Sequence, residues 1–208
     1  MTASDPQAGA GTLARWRAQR ERAAHCRQCP IGAHATQVVF GEGPLPARLM
    51  LVGEQPGDRE DLQGRPFVGP AGRLLMRALA DLGWPREALY LTNAVKHFKY
   101  ALRGKRRMHK TPAQREADIC LQYLEAEIEL VAPEVIVALG ATAARQLLGR
   151  TVPVLRSRGR TFVRESDGRA VLVTLHPSAL LRGEPALREA AYDAWLADLR
   201  RAGAAVRR

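Results

Sequence analysis

The chain is poor in cysteine, in aromatic residues and in negative charge. Three cysteines in 208 residues are an odd count and cannot close a disulfide framework, so reduced thiols are expected. The opening stretch, MTASDPQAGAGTLARW, has no apolar segment of the kind a secretory signal needs. A cytoplasmic location follows as the expectation. No apolar run reaches the length of a membrane span, so no membrane partner is expected. Neither G-x-x-x-x-G-K-[ST] nor G-x-G-x-x-G joins a strand to a helix, which removes the phosphate-cradling nucleotide chemistries. Internal repeats and low-complexity linkers are missing too. Acidic residues number 21 against 32 Lys and Arg, leaving a net charge of +11 and a pI near 10.5. That balance disfavours basic partners and favours polyanions, nucleic acid first.

What is present is a strand–helix alternation. ARLMLVG (47–53), ALYLTNAV (88–95) and EVIVALG (134–140) are short apolar runs that suit buried strands. PAGRLLMRALADLG has proline near its start, leucines at helical spacing and Gly83 placed to end it. In TPAQREADICLQYLEAEIELVAP, Thr111 is the expected N-cap, with Pro112 as first helical residue and Gln114 completing a capping box. Cys120, Leu124, Ile128 and Val131 fall on one face of that helix. ATAARQLLG and PALREAAYDAWLADLRRA read as further helices, and GRTFVRES and RAVLVTL as a hairpin around a DG turn. The expected fold is therefore α/β: a three-layer sandwich around a four-stranded, mainly parallel sheet. Residues 1–12 are expected as a flexible tail and 13–208 as one domain.

In such sheets ligands bind beyond the carboxyl ends of the strands. Glu54, Gln55, Asn93, His97 and His176 all leave from that edge. So does GKRRMHK (104–110), which crowds Lys105, Arg106, Arg107 and Lys110 around His109. Such a charge run is either a solvated loop or a phosphate-binding surface. Glu54 follows a buried strand, where desolvation is expected to raise its pKa and make it a base. His176, in HPS, is either a structural hydrogen-bonder or a catalyst. Phe67 lies in a Gly/Pro-rich loop, a place for stacking on a base rather than for core packing. Cys26 and Cys29 form a C-x-x-C, with Cys120 far downstream, and His97 and His25 are the local candidates for a fourth donor. Three thiols and an imidazole suit zinc or an iron–sulfur cluster, and spacing leaves that choice open.

GEQPGDREDLQGRPFVGPAGRLL, YLTNAVKH, LGATAARQLLG and LHPSALLR, in this order, resemble the uracil-DNA glycosylase superfamily. The likeness runs from about Cys26 to the final helix. It is nearest to the iron–sulfur branch, and within it to UdgX-type proteins. The resemblance implies a [4Fe-4S] cluster on Cys26, Cys29 and Cys120. Ordinary members of that branch have cysteine where this chain has His97, and UdgX-type proteins have histidine, which makes His97 the implied fourth ligand. The ordinary GEAPG here reads GEQPG, with Gln55 in place of alanine, and the basic insertion is also absent from the ordinary branch. In UdgX-type proteins the histidine of that insertion joins covalently to DNA after uracil leaves; by position this is His109. The resemblance further implies Glu54, His109 and His176 as catalytic, and Gln55, Phe67, Asn93 and His176 as the uracil pocket. Lys105, Arg106, Arg107 and Lys110 are implied as the DNA contacts. The expected partner is uracil-containing DNA, single-stranded preferred, bound by a monomer at the nucleoid.

Overall fold

The computed structural model describes residues 6–206. The elements run α1 (Pro6–Ala24), α2 (Pro30–His34), β1 (Leu49–Gly53), α3 (Asp58–Gln63), α4 (Pro70–Asp81), β2 (Leu89–Asn93) and β3 (Tyr100–Arg103). They continue with β4 (Arg106–His109), α5 (Gln114–Val131), β5 (Val135–Leu139), α6 (Ala141–Leu148), α7 (Val154–Ser157), β6 (Arg160–Val163), β7 (Ala170–Thr174), α8 (Pro177–Arg182) and α9 (Arg188–Val206).

The main sheet has the order β2-β1-β5-β7-β6. The first four strands are parallel, and β6 pairs with β7 antiparallel at the edge. The sheet thus has the four parallel strands expected plus a fifth, supplied by the hairpin around Asp167–Gly168. Side chains alternate cleanly between two cores, as a period of two requires. Leu49, Leu51, Val135, Val137 and Leu172 point to the layer of α4 and α9, where Trp195 and Leu199 meet them. Met50, Val52, Ile136, Val171 and Val173 point the other way, toward Leu124 and Ile128 of α5 and Leu147 of α6. Both faces are covered, which is why the strands read as unbroken apolar runs. Among the described residues, no helix is long and apolar enough to cross a membrane.

Three local expectations are corrected. Helix α1 starts at Pro6, so residues 6–12 of the expected tail are helical; residues 1–5 lie outside the described residues. Helix α5 starts at Gln114, later than Thr111 and Pro112 implied. Its first turn is closed by Glu116, whose Oε2 accepts the Ala113 N–H at 2.6 Å. A carboxylate reaching back satisfies an orphan donor and meets the positive end of the helix, two gains that Thr111 does not offer from its place. Finally, the basic stretch is not a loop. It is the antiparallel hairpin β3–β4, turned at Gly104 (φ +59°), with Tyr100 opposite His109.

Candidate active site

The chain passes from β1 to β2 on one side and later, through α5, to β5 on the other side of β1. That reversal opens a crevice beyond the carboxyl ends of the strands. A cavity of about 860 Å³ lies there, with Glu54, Phe67, Asn93, His109 and His176 in its wall. Gly53 makes the convergence sterically feasible. A methyl group there would stand 2.3 Å from Asn93 Oδ1 and 2.9 Å from the tip of the Phe67 ring.

Asn93 ends β2 and is 3% exposed. Among the described residues its side-chain amide has no protein partner, although it borders the cavity. A buried amide normally has its hydrogen bonds made. This one is left for a ligand, and it offers both an acceptor and donors.

His176 caps α8, and its Nδ1 accepts the Ser178 N–H at 3.2 Å, with Ser178 Oγ 2.8 Å away. Because Nδ1 accepts, the neutral ring carries its proton on Nε2, as a donor. Burial first, and then the nearby Arg182 and His109, push the His176 pKa down to about 4 against the pull of Glu54. The ring is therefore neutral at pH 7. Phe67 stacks beside it, ring centroids 6.3 Å apart, and holds a left-handed backbone at φ +57° that a phenylalanine adopts only at a cost of about 1–3 kcal/mol.

Glu54 corrects an expectation. Burial alone would raise its pKa, but the hydrogen bonds from His109 and Thr142 lead the effects that outweigh it and hold the pKa below the ordinary value. Thr142 Oγ1 donates to Glu54 Oε2 at 2.7 Å, and His109 Nε2 lies 3.3 Å from Oε1. Glu54 is thus a fixed carboxylate that presents one oxygen to His109. The His109 side chain is 49% exposed over the cavity mouth.

Arg107 and Gln55 do work that sequence reasoning assigned elsewhere. Arg107 was expected to contact DNA, but its guanidinium is spent inside the protein. It meets Asp58 Oδ1 and Asp61 Oδ2 at 2.6 Å each, donates to Thr36 Oγ1, and lies over the Tyr100 ring. Gln55 was expected to contact uracil. It does line the cavity, but its Nε2 donates to the carbonyls of Lys99 and Lys110 at 3.1 Å each, and its Oε1 accepts the Lys99 N–H. Gln55 staples both roots of the hairpin, and Arg107 clamps its body to α3. Arg107→Ala would leave Asp61, wholly buried, without its cation. It should cost about 3 kcal/mol, or roughly 6–12 °C in Tm for a chain of this size. Amide exchange across 100–109 should rise with it; protection unchanged there would show that the hairpin holds without the clamp. Lys105, Arg106 and Lys110 are exposed and, among the described residues, have no acidic partner. They remain free for phosphates. Thr142 and Ser178 escaped sequence reading, although both sit one turn past a strand end, which was a usable signal.

A second group of side chains lies behind β2. Cys120 is buried in a cluster with Ile31, Val38, Phe40 and Tyr123, and Cys26 and Cys29 pack against it. Burial pushes the Cys120 thiol up to about 11, with Cys29 and Cys26 adding to it and Lys96 opposing. His97 is buried nearby, its Cε1 3.8 Å from where a Gly32 methyl would sit, and burial takes its pKa down to about 4. His25 is turned away to Glu21 and is exposed, which removes it as the fourth donor. Among the described residues no three such side chains stand close enough to grip a single metal ion. Three thiols and one neutral imidazole around one apolar cluster do fit the donor chemistry of an iron–sulfur centre, whose ligands spread more widely.

The uracil-DNA glycosylase superfamily model matches residues 40–200, a span that contains the whole cavity edge. The chain belongs to that superfamily. It is 42% identical over 163 residues to a protein of Thermotoga maritima named type-4 uracil-DNA glycosylase, covering 78% of this chain and 81% of that one. A type-4 uracil-DNA glycosylase of Pyrobaculum aerophilum is 38% identical over 170 residues, with 79% and 83% covered. The superfamily assignment agrees with the three-layer α/β architecture and with the cavity at the strand ends.

Proposed function

We propose that this protein excises uracil from DNA, preferably single-stranded, and is then captured by the product through His109. The observation that carries the first half is the unpartnered Asn93 amide beside the His176 Nε2–H donor, in a cavity bordered by Phe67. Relatives named type-4 uracil-DNA glycosylases support the same half. Uracil would enter as a flipped or already unpaired nucleotide, since its glycosidic bond is hidden in a duplex. Single strands avoid the cost of unpairing. Lys105, Arg106 and Lys110 would hold phosphates, a contact that adds affinity without base choice. Phe67 stacks on the ring, and Asn93 pairs with N3–H and O4. Cytosine reverses that donor–acceptor pattern and leaves buried groups unpaired.

As the C1′–N1 bond breaks, its electron pair leaves with the base. Negative charge on O2 is met by the His176 donor, preorganised by Ser178. The sugar is left electrophilic at C1′. A lone pair of the His109 imidazole, held at the cavity mouth by Glu54, then forms a C1′–N bond. Proximity removes the entropic cost that a diffusing water would face. The positive charge that arrives on the ring lies against the Glu54 carboxylate. Incubation with uracil-containing single strands should release free uracil, measured by chromatography. Cytosine- and thymine-containing strands should release nothing. No uracil release from any strand would end this reading.

Cys26, Cys29, Cys120 and His97 are the residues that would hold a [4Fe-4S] cluster. Such a cluster would tie the N-terminal segment to the sheet edge beside β2. Protein purified without air should contain iron and acid-labile sulfide and absorb in the visible. Stoichiometric zinc in their place would replace the assignment.

A further inference from the structure

Lys96 and Glu127 are both 0% exposed and form an ion pair inside the protein. Burying two charges is costly, and well-packed apolar residues are often as stable or more so. Stability alone is thus a poor reason for the pair, and its geometry offers another. The Lys96 ammonium donates to three acceptors: Glu127 Oε2, Thr92 Oγ1 at 2.9 Å, and the backbone carbonyl of Asn93 at 2.6 Å.

That carbonyl marks the end of β2, where the sheet ladder stops. The peptide that follows Asn93 is held at its other end by the sheet, through the Ala94 N–H donating to the Gly53 carbonyl at 2.9 Å. Lys96 therefore completes a two-point clamp on the peptide beside the base-reading amide. The lever is itself rigid. The Lys96 N–H donates to Cys120 Sγ at 3.2 Å, and its carbonyl accepts the Val39 N–H at 2.8 Å. Glu127 is anchored in turn by the Gly41 N–H at 2.7 Å, by the Tyr90 hydroxyl at 3.0 Å and by Thr92. Trp16 Nε1 donates to Tyr90 from α1. Every member of the network is satisfied, the condition under which a buried polar network rigidifies rather than weakens.

We propose that Lys96 and Glu127 are positioning residues for base recognition: by pinning the Asn93 peptide they set the direction in which the Asn93 amide meets uracil. The inference rests on the reading of Asn93 as the base-contacting residue. Among the described residues the Asn93 amide has no protein hydrogen bond to orient it, so its direction depends on the backbone that carries it.

The test uses the full chain and two probes: free uracil, and single-stranded DNA without uracil. Lys96→Met should weaken uracil binding about tenfold, the value of one misaligned hydrogen bond, and lower Tm, because Glu127 is left buried and unpaired. Lys96→Met/Glu127→Gln removes both charges while keeping an acceptor for the Gly41 N–H and the Tyr90 hydroxyl, and should recover Tm without recovering uracil affinity. Affinity for uracil-free DNA should match wild type in both. A purely structural pair predicts the opposite for the double variant, with Tm and uracil affinity returning together, and that result overturns the inference alone. Should the double variant not fold, Glu127→Gln keeps the volume and loosens the hold on Lys96. It should weaken uracil about threefold, and wild-type affinity there would overturn the inference equally. Wild-type protein that binds no uracil overturns the reading of Asn93, and this inference with it.

Discussion

His109→Ser should turn a protein that stops after one turnover into one that continues. In wild type the imidazole stands 3.3 Å from the Glu54 carboxylate, on a hairpin whose roots are stapled by Gln55 and whose body is clamped by Arg107. A nucleophile held this way meets C1′ before water does. On the proposed reading, the resulting N-alkyl imidazolium persists where water is kept from C1′. Wild type should accumulate one equivalent of a complex resistant to SDS and heat, then stop. Serine removes the ring and opens space beside Glu54 for a water. Thr142 still donates to Glu54 Oε2 in the variant, so the carboxylate stays in place and can orient that water. The variant should form no resistant complex and should release abasic product in molar excess over protein. Retention of the complex by His109→Ser would assign the nucleophile to another residue.

Asn93→Ala carries the second large effect. The substitution removes the only unpartnered amide described in the cavity wall and leaves the hairpin cations in place. Uracil excision should fall roughly a thousandfold, on the order of 4 kcal/mol, since a site built around hydrogen bonds to its ligand loses most when they go. Affinity for DNA should stay within about twofold, because phosphate contacts dominate it. A parallel fall in both, followed by titration with uracil-containing and uracil-free strands, would make Asn93 a fold residue.

The parts of the site legible in the sequence are those fixed by strand ends. Glu54, Asn93 and His176 each follow an apolar run, and parallel packing brings those ends together regardless of detail. Phe67 was legible as a cavity residue, but not as the core residue it also is: it is buried in the same apolar cluster as Leu75 and Leu139, which a Gly/Pro-rich loop did not suggest. What stayed hidden depends on partners distant in sequence. Arg107 and Asp61 are 46 residues apart, so a local charge run could not show that one of its cations faces inward. Gln55 reaches carbonyls 44 and 55 residues away, and only the folded hairpin reveals that its amide is already used. Nothing local in NAVKH marks Lys96 as buried; its partner, Glu127, lies 31 residues on. Glu54 was misjudged in the same way. Its position after a strand implied desolvation, while the hydrogen bonds that reverse the shift come from Thr142 and His109 on other elements.

The central claim, capture of the sugar by His109, is tested most directly by mass spectrometry of the adduct. Protein incubated with a uracil-containing single strand would be digested with protease and nuclease, and the peptide that contains His109 fragmented. The account predicts that this peptide carries the mass of a deoxyribose attached at C1′, localised by fragmentation to His109, with free uracil released in equal amount. An unmodified His109 peptide alongside free abasic DNA would contradict it and leave an ordinary glycosylase that turns over.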